Sequence, residues 1–206
     1  MSFPTLEFET QLLAEYPAII AIDEVGRGSL AGPVAVGAFV LTAQQLATAP
    51  TGLQDSKLLR EPKRAEIAER VMEWGTSAVA FVSAQEIDQN GIISCLKNAG
   101  QNCLDQLSIP DAIILLDGNQ NWLEKSGVIT RIKADRDCAA VSAASIIAKV
   151  SRDSLMIEFD QTYPQYDFAS NKGYSSPSHI QALKDYGPSE IHRKTWLSKI
   201  LSEELF

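Results

Sequence analysis

The chain has 206 residues, 45% of them hydrophobic and 21% charged, which fits one domain, or one domain with a small appendage, around a proper core. No apolar run approaches ~18 residues, and the opening MSFPTLEFETQLLAEY carries acids where a secretion signal needs a basic start, so neither a membrane span nor a signal peptide is read. A net charge of −8 argues, as a sum, against a nucleic-acid binder, and three cysteines without a CxxC pair exclude a disulfide framework or a cysteine zinc site.

From Ala18 to Leu41 the sequence AIIAIDEVGRGSLAGPVAVGAFVL holds two β-rich runs around a loop with Gly26, Gly28, Gly32 and Pro33, which predicts strand, loop, strand. EPKRAEIAERVMEW puts Ile67, Val71 and Trp74 at helical spacing, with Pro62 suited to a first turn. TSAVAFVS predicts a strand. Ser83 with Glu86 three residues on is a capping box opening a short helix, and residues 92–107 predict a longer one. On that helix Cys95 and Cys103 lie about 12 Å apart along the axis, too far to bridge. DAIILLD is a continuous apolar run of the kind buried on both faces of a sheet, and VITRIK is the next strand. Residues 138–163 lack Gly and Pro and open on Ala139, Ala140, Ala143, Ala144 and Ala148, a long helix whose small residues let it pack closely on a sheet. A loop over 164–178 follows, then helices around 179–186 and 189–204. This order predicts an α/β fold, a mixed β-sheet flanked by helices.

Two of the predicted strands end in acids. AIIAI runs into Asp23 and Glu24, and AIILL runs into Asp117. A carboxylate at a buried strand end is costly to desolvate unless a cation pairs with it, and the only basic residue before Lys57 is Arg27. Each acid taken alone also reads as a helix cap or a strand end in solvent. If Asp23, Glu24, Asp117 and Asp135 converge, each pair repels by about 4 kcal/mol at ~4 Å and an effective dielectric of 20. All-oxygen ligation relieves that repulsion with Mg²⁺ or Mn²⁺ rather than zinc, and two such ions side by side cleave phosphodiesters. The glycines of DEVGRG allow close backbone approach to a ligand, although a tight turn alone explains them equally well. Charge is also uneven: from Lys125 to Lys199 eleven Lys and Arg stand against eight Asp and Glu, a basic third that offers a phosphate-binding face or ordinary solvated helices.

In order, IDEVGRGSLAGPVAVGAFVL, DSKLL, LLDGN, KADRDCAAVSAASIIAKVSRD, NKGYSSPSH and IHRKTW cover most of the chain, and together they closely resemble the ribonuclease HII family. The resemblance implies a ribonuclease H-like fold over 1–206, with 176–206 as a helical C-terminal extension. It implies endonucleolytic cleavage of the RNA strand of RNA–DNA hybrids, and cutting 5′ of single ribonucleotides embedded in duplex DNA, leaving 3′-hydroxyl and 5′-phosphate ends. The family's metal-binding carboxylates match Asp23, Glu24, Asp117 and Asp135, its 2′-hydroxyl-reading triplet matches Gly26, Arg27 and Gly28, and its junction-reading tyrosine matches Tyr174. Lys149, Arg152 and Lys172 are the candidates for phosphate contacts, with snorkelling surface side chains as the plain alternative.

The chain departs from the family pattern at Asn171 and at Ser175-Ser176, where Ser176 still offers a hydroxyl. The GRG triplet and the short lead before Asp23 separate it from ribonuclease HIII, whose specificity is the alternative within enzymes; a non-catalytic hybrid-binding module is the alternative outside them. Asp153 reads as structural or as a support to the metal ligands, Asp55 as a helix cap or a loop-ordering residue, and His179 and His192 as packing or hydrogen-bonding residues, because metal-bound water needs no histidine base. Trp122 and Trp196 read as packing residues. The final LSEELF reads as a helix end, with a loose resemblance to sliding-clamp-binding peptides. A cytoplasmic monomer is expected.

Overall fold

The computed structural model describes residues 3–54, 56, 59–198 and 200. Helix α1 (Glu7–Leu12) leads into strand β1 (Ile19–Val25) and strand β2 (Val34–Leu41). Helix α2 (Glu61–Trp74), strand β3 (Ser77–Val82), and helices α3 (Ala84–Asn90) and α4 (Ile92–Leu107) follow. Strands β4 (Ile113–Asp117) and β5 (Val128–Arg131) come next, then helices α5 (Ala134–Asp137), α6 (Ala139–Thr162), α7 (Phe168–Asn171) and α8 (Pro177–Tyr186). The expected capping box is present: Ser83 Oγ accepts the Glu86 N–H, and the Glu86 carboxylate accepts the Ser83 N–H.

The five strands lie in the order β3-β2-β1-β4-β5, antiparallel across β3, β2 and β1 and parallel across β1, β4 and β5. This is the expected mixed sheet covered by helices. Alternation along the strands divides the core. Ile19 and Ala21 face one side with Phe39, Leu115 and the alanines of α6, whereas Ile20 and Ile22 face the other with Val36, Ala80 and the apolar stripe of α4. Among the described residues no helix is long and apolar enough to cross a membrane.

The small-residue stripe of α6 does what its composition suggests. A Cβ built on Gly37 of β2 would stand 2.4 Å from the Ala144 carbonyl oxygen, so the helix backbone rests directly on the strand. The N-terminus of α6 has no side-chain cap of its own. Instead the Ala139 N–H donates to the Thr5 carbonyl, and the Ala140 N–H to Glu9 Oε1 at 2.9 Å, so the N-terminal segment caps it from a distance.

Three stretches differ from expectation. Helix α1 has too few turns to show a periodic apolar face. The predicted 164–178 loop contains a 3-10 turn at Pro164–Tyr166 and the single turn of α7, and α8 begins at Pro177, with Ser176 as its N-cap. The predicted helix over 189–204 does not form over its first residues. The Gly32 N–H donates to the Ile191 carbonyl, His192 bridges Ala31, and the Arg193 N–H donates to the Leu30 carbonyl, so 191–193 run extended along the loop after β1. A 3-10 turn at Lys194–Trp196 follows, and residues 201–204 lie outside the described residues.

Candidate active site

Parallel register explains why acids separated by more than ninety positions meet. Ile22 of β1 pairs with Leu116 of β4, so Asp23 and Asp117 occupy the next step on neighbouring strands, which run about 4.8 Å apart. By alternation both belong to the face covered by α6. Asp135 sits in α5, immediately before α6, and its main-chain N–H donates to Asp117 Oδ1 at 3.3 Å. Glu24 follows Asp23, and its N–H donates to Asp23 Oδ1 at 2.8 Å.

Asp23 is buried and records this convergence. Burial, then the charge of Glu24, pushes its carboxyl well above the usual carboxylate range; Asp117 and Asp135 add to the rise, against a hydrogen bond from the Ser145 side chain. Its three acidic neighbours are the three other carboxylates of the predicted set. Among the described residues no three His, Cys, Asp or Glu side chains are arranged to hold a metal ion as they stand. The four carboxylates approach one another without closing around a point. Their donor chemistry, all oxygen and mutually repelling, fits a hard divalent cation.

Asp23 and Glu24 open onto a cleft of about 530 Å³ lined also by Gly26, Arg27, Gly28, Ser56, Arg64, Ser145, Lys149 and Tyr174. Its other wall is cationic. Lys149 and Arg64 both bond the Asp153 carboxylate, at 2.6 and 3.2 Å to Oδ2, leaving one net positive charge on this trio. Asp153 is thus held by two cations beside the cleft. Helix α6 serves both walls, since Ser145, Lys149 and Arg152 recur at spacings of four and three along one side.

The GRG loop follows β1 directly. Arg27 is exposed, and its guanidinium bonds Glu24 Oε1 at 3.1 Å. Gly26 has φ +82°, and a Cβ there would stand 2.1 Å from Arg152 Nε, so its glycine is required by the fold itself. Gly28 differs: it needs no positive φ, and a Cβ on it would meet nothing within 4 Å. Tyr174 lies partly exposed across the cleft, its ring centroid 5.5 Å from the Arg152 guanidinium carbon.

Two expected phosphate contacts are corrected. Arg152 is fully buried, and its guanidinium donates to the carbonyls of Pro33, Ala31 and Lys172 and to Ser29 Oγ. Lys172 is also buried; its Nζ bonds the Ala169 carbonyl and stands 3.5 Å from Glu61. Both hold the cleft's frame together rather than present charge to a ligand. Lys149 alone of the three lines the cleft. The Ser176 hydroxyl accepts the His179 N–H as a helix cap. Trp122 is buried in the core, and the Trp196 ring stacks under Arg193. Asp55 and LSEELF lie outside the described residues.

Ser145, Arg64 and Arg193 were not singled out from the sequence. A serine and an arginine inside Ala-rich or amphipathic helices give no local signal. Arg193 lies within IHRKTW, a motif whose residues carry no chemistry until the loop is folded against them.

The ribonuclease HII family model matches residues 20–199. Ribonuclease HII of Aliarcobacter butzleri is 42% identical over 189 residues, covering 90% of this chain and 93% of that one. Among solved structures, ribonuclease H2 from Pyrococcus horikoshii OT3 superposes with a TM-score of 0.76 at 28% identity, over 90% of this chain and 98% of that one. The ribonuclease HII solved in a complex with PCNA from Archaeoglobus fulgidus gives 0.75 at 27% identity, over 91% and 98%. With the family model, the curated relative and the solved structures each matching over most of its length, the chain belongs to the ribonuclease HII family and is an endoribonuclease of the ribonuclease H kind.

Proposed function

We propose that this enzyme hydrolyses the RNA strand of RNA–DNA hybrids and cuts 5′ of single ribonucleotides in duplex DNA, leaving 3′-hydroxyl and 5′-phosphate ends. The observation that carries the reading is the gathering of Glu24, Asp117 and Asp135 around Asp23, with Asp23 and Glu24 lining a cleft beside a glycine loop. These four residues would hold two Mg²⁺ or Mn²⁺ ions, which when bound supply an activated water and charge stabilisation at the leaving oxygen. The remaining work belongs to the chain. Ser145 fixes the Asp23 carboxylate by its hydrogen bond, and the Asp117–Asp135 contact sets the spacing of the second pair.

The Arg27 and Gly28 amides border the cleft, and the space in front of Gly28 admits a sugar to backbone distance, where a 2′-hydroxyl meets a donor or an acceptor. The Tyr174 face suits the next sugar, which lacks that hydroxyl and needs only contact. Lys149 is the remaining candidate for a phosphate. The enzyme is proposed to act as a monomer. A contact of the C-terminal LSEELF with a sliding clamp is consistent with the PCNA complex of the Archaeoglobus relative.

The test is an end-labelled duplex with one ribonucleotide, incubated with Mg²⁺, Mn²⁺ or EDTA beside an all-RNA strand hybrid. A metal-dependent cut 5′ of the ribonucleotide is expected. Cutting of the all-RNA hybrid alone would shift the specificity towards ribonuclease HIII, and tight binding without a cut would overturn catalysis.

A further inference from the structure

The loop from Gly26 to Pro33 is held from behind by two guanidinium groups. Arg152 takes the carbonyls of Ala31 and Pro33, as described above. Arg193 reaches it from the extended 191–193 segment: Nη2 donates to the Gly26 carbonyl at 2.7 Å, Nη1 to the Arg27 carbonyl at 2.9 Å, and Nη2 and Nε to the Gly32 carbonyl at 3.1 and 3.3 Å. Arg193 is fully buried, and among the described residues neither arginine forms a salt bridge with a carboxylate. Burying a guanidinium without a paired carboxylate is costly, and here carbonyl dipoles, the Ser29 hydroxyl on Arg152 and the aromatic faces of Tyr174 and Trp196 offset the cost. Such an arrangement fixes the course of the loop.

The geometry it enforces concerns the cleft. With the Gly26 and Arg27 carbonyls turned inward onto Arg193, the Arg27 and Gly28 N–H groups donate to nothing among the described residues, and both residues line the cleft. Farther along, the Leu30 and Ala31 N–H groups donate to the Gly173 carbonyl, next to Tyr174, so the same loop is tied to the other recognition element. A guanidinium is the one side chain that spans three carbonyls in a fixed plane; a lysine ammonium carries the charge without the fork.

We infer that Arg193 is a positioning residue for ribonucleotide recognition: by holding the Gly26, Arg27 and Gly32 carbonyls it presents the Arg27 and Gly28 amides to the substrate. The inference rests on the function proposed above only for the identity of that substrate. It assigns to the C-terminal segment a part in the active site, although none of its described side chains lines the cleft with Asp23 and Glu24.

The test compares the full-length wild type with Arg193→Lys and Arg193→Gln. Steady-state cleavage of the single-ribonucleotide duplex in Mn²⁺ is measured alongside thermal melting and amide hydrogen exchange. Both variants are expected to raise KM by about tenfold or more, with kcat within about threefold, because the carboxylates are untouched. Lysine is expected not to rescue. Exchange of the Leu30, Ala31 and Gly32 amides should speed up while the β1–β2 amides keep their protection. A folded Arg193→Lys variant with wild-type KM and wild-type loop protection would overturn the inference, as would a lowered melting temperature with KM unchanged. Should the wild type cut neither substrate, the proposed function fails, and the exchange measurement still decides whether Arg193 sets the loop. Should Arg193→Gln fail to fold, Arg193→Lys carries the comparison.

Discussion

The Nε2 atoms of His179 and His192 stand 3.0 Å apart in a box walled by Tyr166 and Phe168, and their neighbours dictate where the protons lie. The Tyr174 carbonyl, 2.8 Å from His179 Nδ1, can only accept, so that nitrogen carries hydrogen. The Ser189 N–H, 2.9 Å from His192 Nδ1, can only donate, so that nitrogen is bare. With both rings neutral, His192 Nε2–H donates to His179 Nε2. The chain of bonds runs in one direction from Ser189 to the backbone of Tyr174.

Acid breaks that chain. Burial, then the charge of His179, holds His192 down to about 4, and burial lowers His179 as well. The unfolded chain protonates His192 near the ordinary histidine value of 6.5, whereas the folded chain refuses that proton until near 4. Stability is therefore full above pH 6.5 and declines as pH falls towards 4. Glutamine at 192 offers one donor and one acceptor without titrating. Relative to His192→Gln, the wild type is expected to lose about 2 kcal/mol between pH 7 and pH 5, read from urea midpoints. Parallel declines in the two proteins would remove the pair from the acid response.

Glu9 gives the opposite pH signature. It is buried under the N-terminus of α6, and burial raises its carboxyl to about 7 against the cap it makes to the Ala140 N–H. The folded state keeps this proton up to about pH 7, but the unfolded chain releases it near 4.5. Its contribution is thus present at low pH and lost as pH rises through 7. Glu9→Gln keeps the accepting oxygen and cannot ionise. Its stability relative to wild type should rise by about 2 kcal/mol from pH 5 to pH 8. Glu9→Ala removes the cap and should cost about 1 kcal/mol even at pH 5. Identical pH profiles for wild type and Glu9→Gln would show that the carboxyl is ionised throughout.

The sheet and the acids at its strand ends were readable because AIIAIDE and AIILLD join a continuous apolar run to a charge that a buried strand does not otherwise tolerate. Helix α2 was readable by periodicity, α3 by its capping box, and α6 by a long run without Gly or Pro that opens on alanines. What could not be read depends on partners far away in sequence. Residues 191–193 are helix-compatible in composition, but the Leu30 carbonyl and Ala31 pull them into an extended run. Arg152 and Lys172 look like surface cations because a long side chain shows the same letter whether its head meets a phosphate or a carbonyl. Gly26 and Gly28 are likewise indistinguishable in GRG, and only the folded loop separates them, by the positive φ of Gly26 and by the position of Arg152.

Three glycines should consequently fail in three ways. Gly37→Ala drives a methyl into the Ala144 carbonyl and pushes α6 off β2, moving Ser145 away from Asp23, which Gly37 faces across the strand pair. It should cost about 1–3 kcal/mol and lower kcat. Gly26→Ala meets Arg152 and a positive φ, so it should destabilise to a similar degree. Gly28→Ala has open space before it and should leave stability within about 0.5 kcal/mol of wild type while raising KM for the ribonucleotide substrate. Melting curves and steady-state kinetics on the three variants separate these outcomes. An unchanged KM in Gly28→Ala would mean that the substrate does not approach this backbone.

Asp117 tests whether the carboxylates are gathered for a cation or for the fold. Its charge helps to push the Asp23 carboxyl up, so in the absence of metal the cluster works against folding. Asp117→Asn retains an oxygen to accept the Asp135 N–H and removes one negative charge. In EDTA the variant should be more stable than wild type, by on the order of 1 kcal/mol. Adding Mn²⁺ should raise the melting temperature of the wild type, because an ion that binds only the folded state stabilises it by mass action. The variant should show little of that rise and should lose metal-dependent cleavage. A variant less stable than wild type in EDTA, yet equally stabilised by Mn²⁺, would assign Asp117 to the fold and place the cation elsewhere.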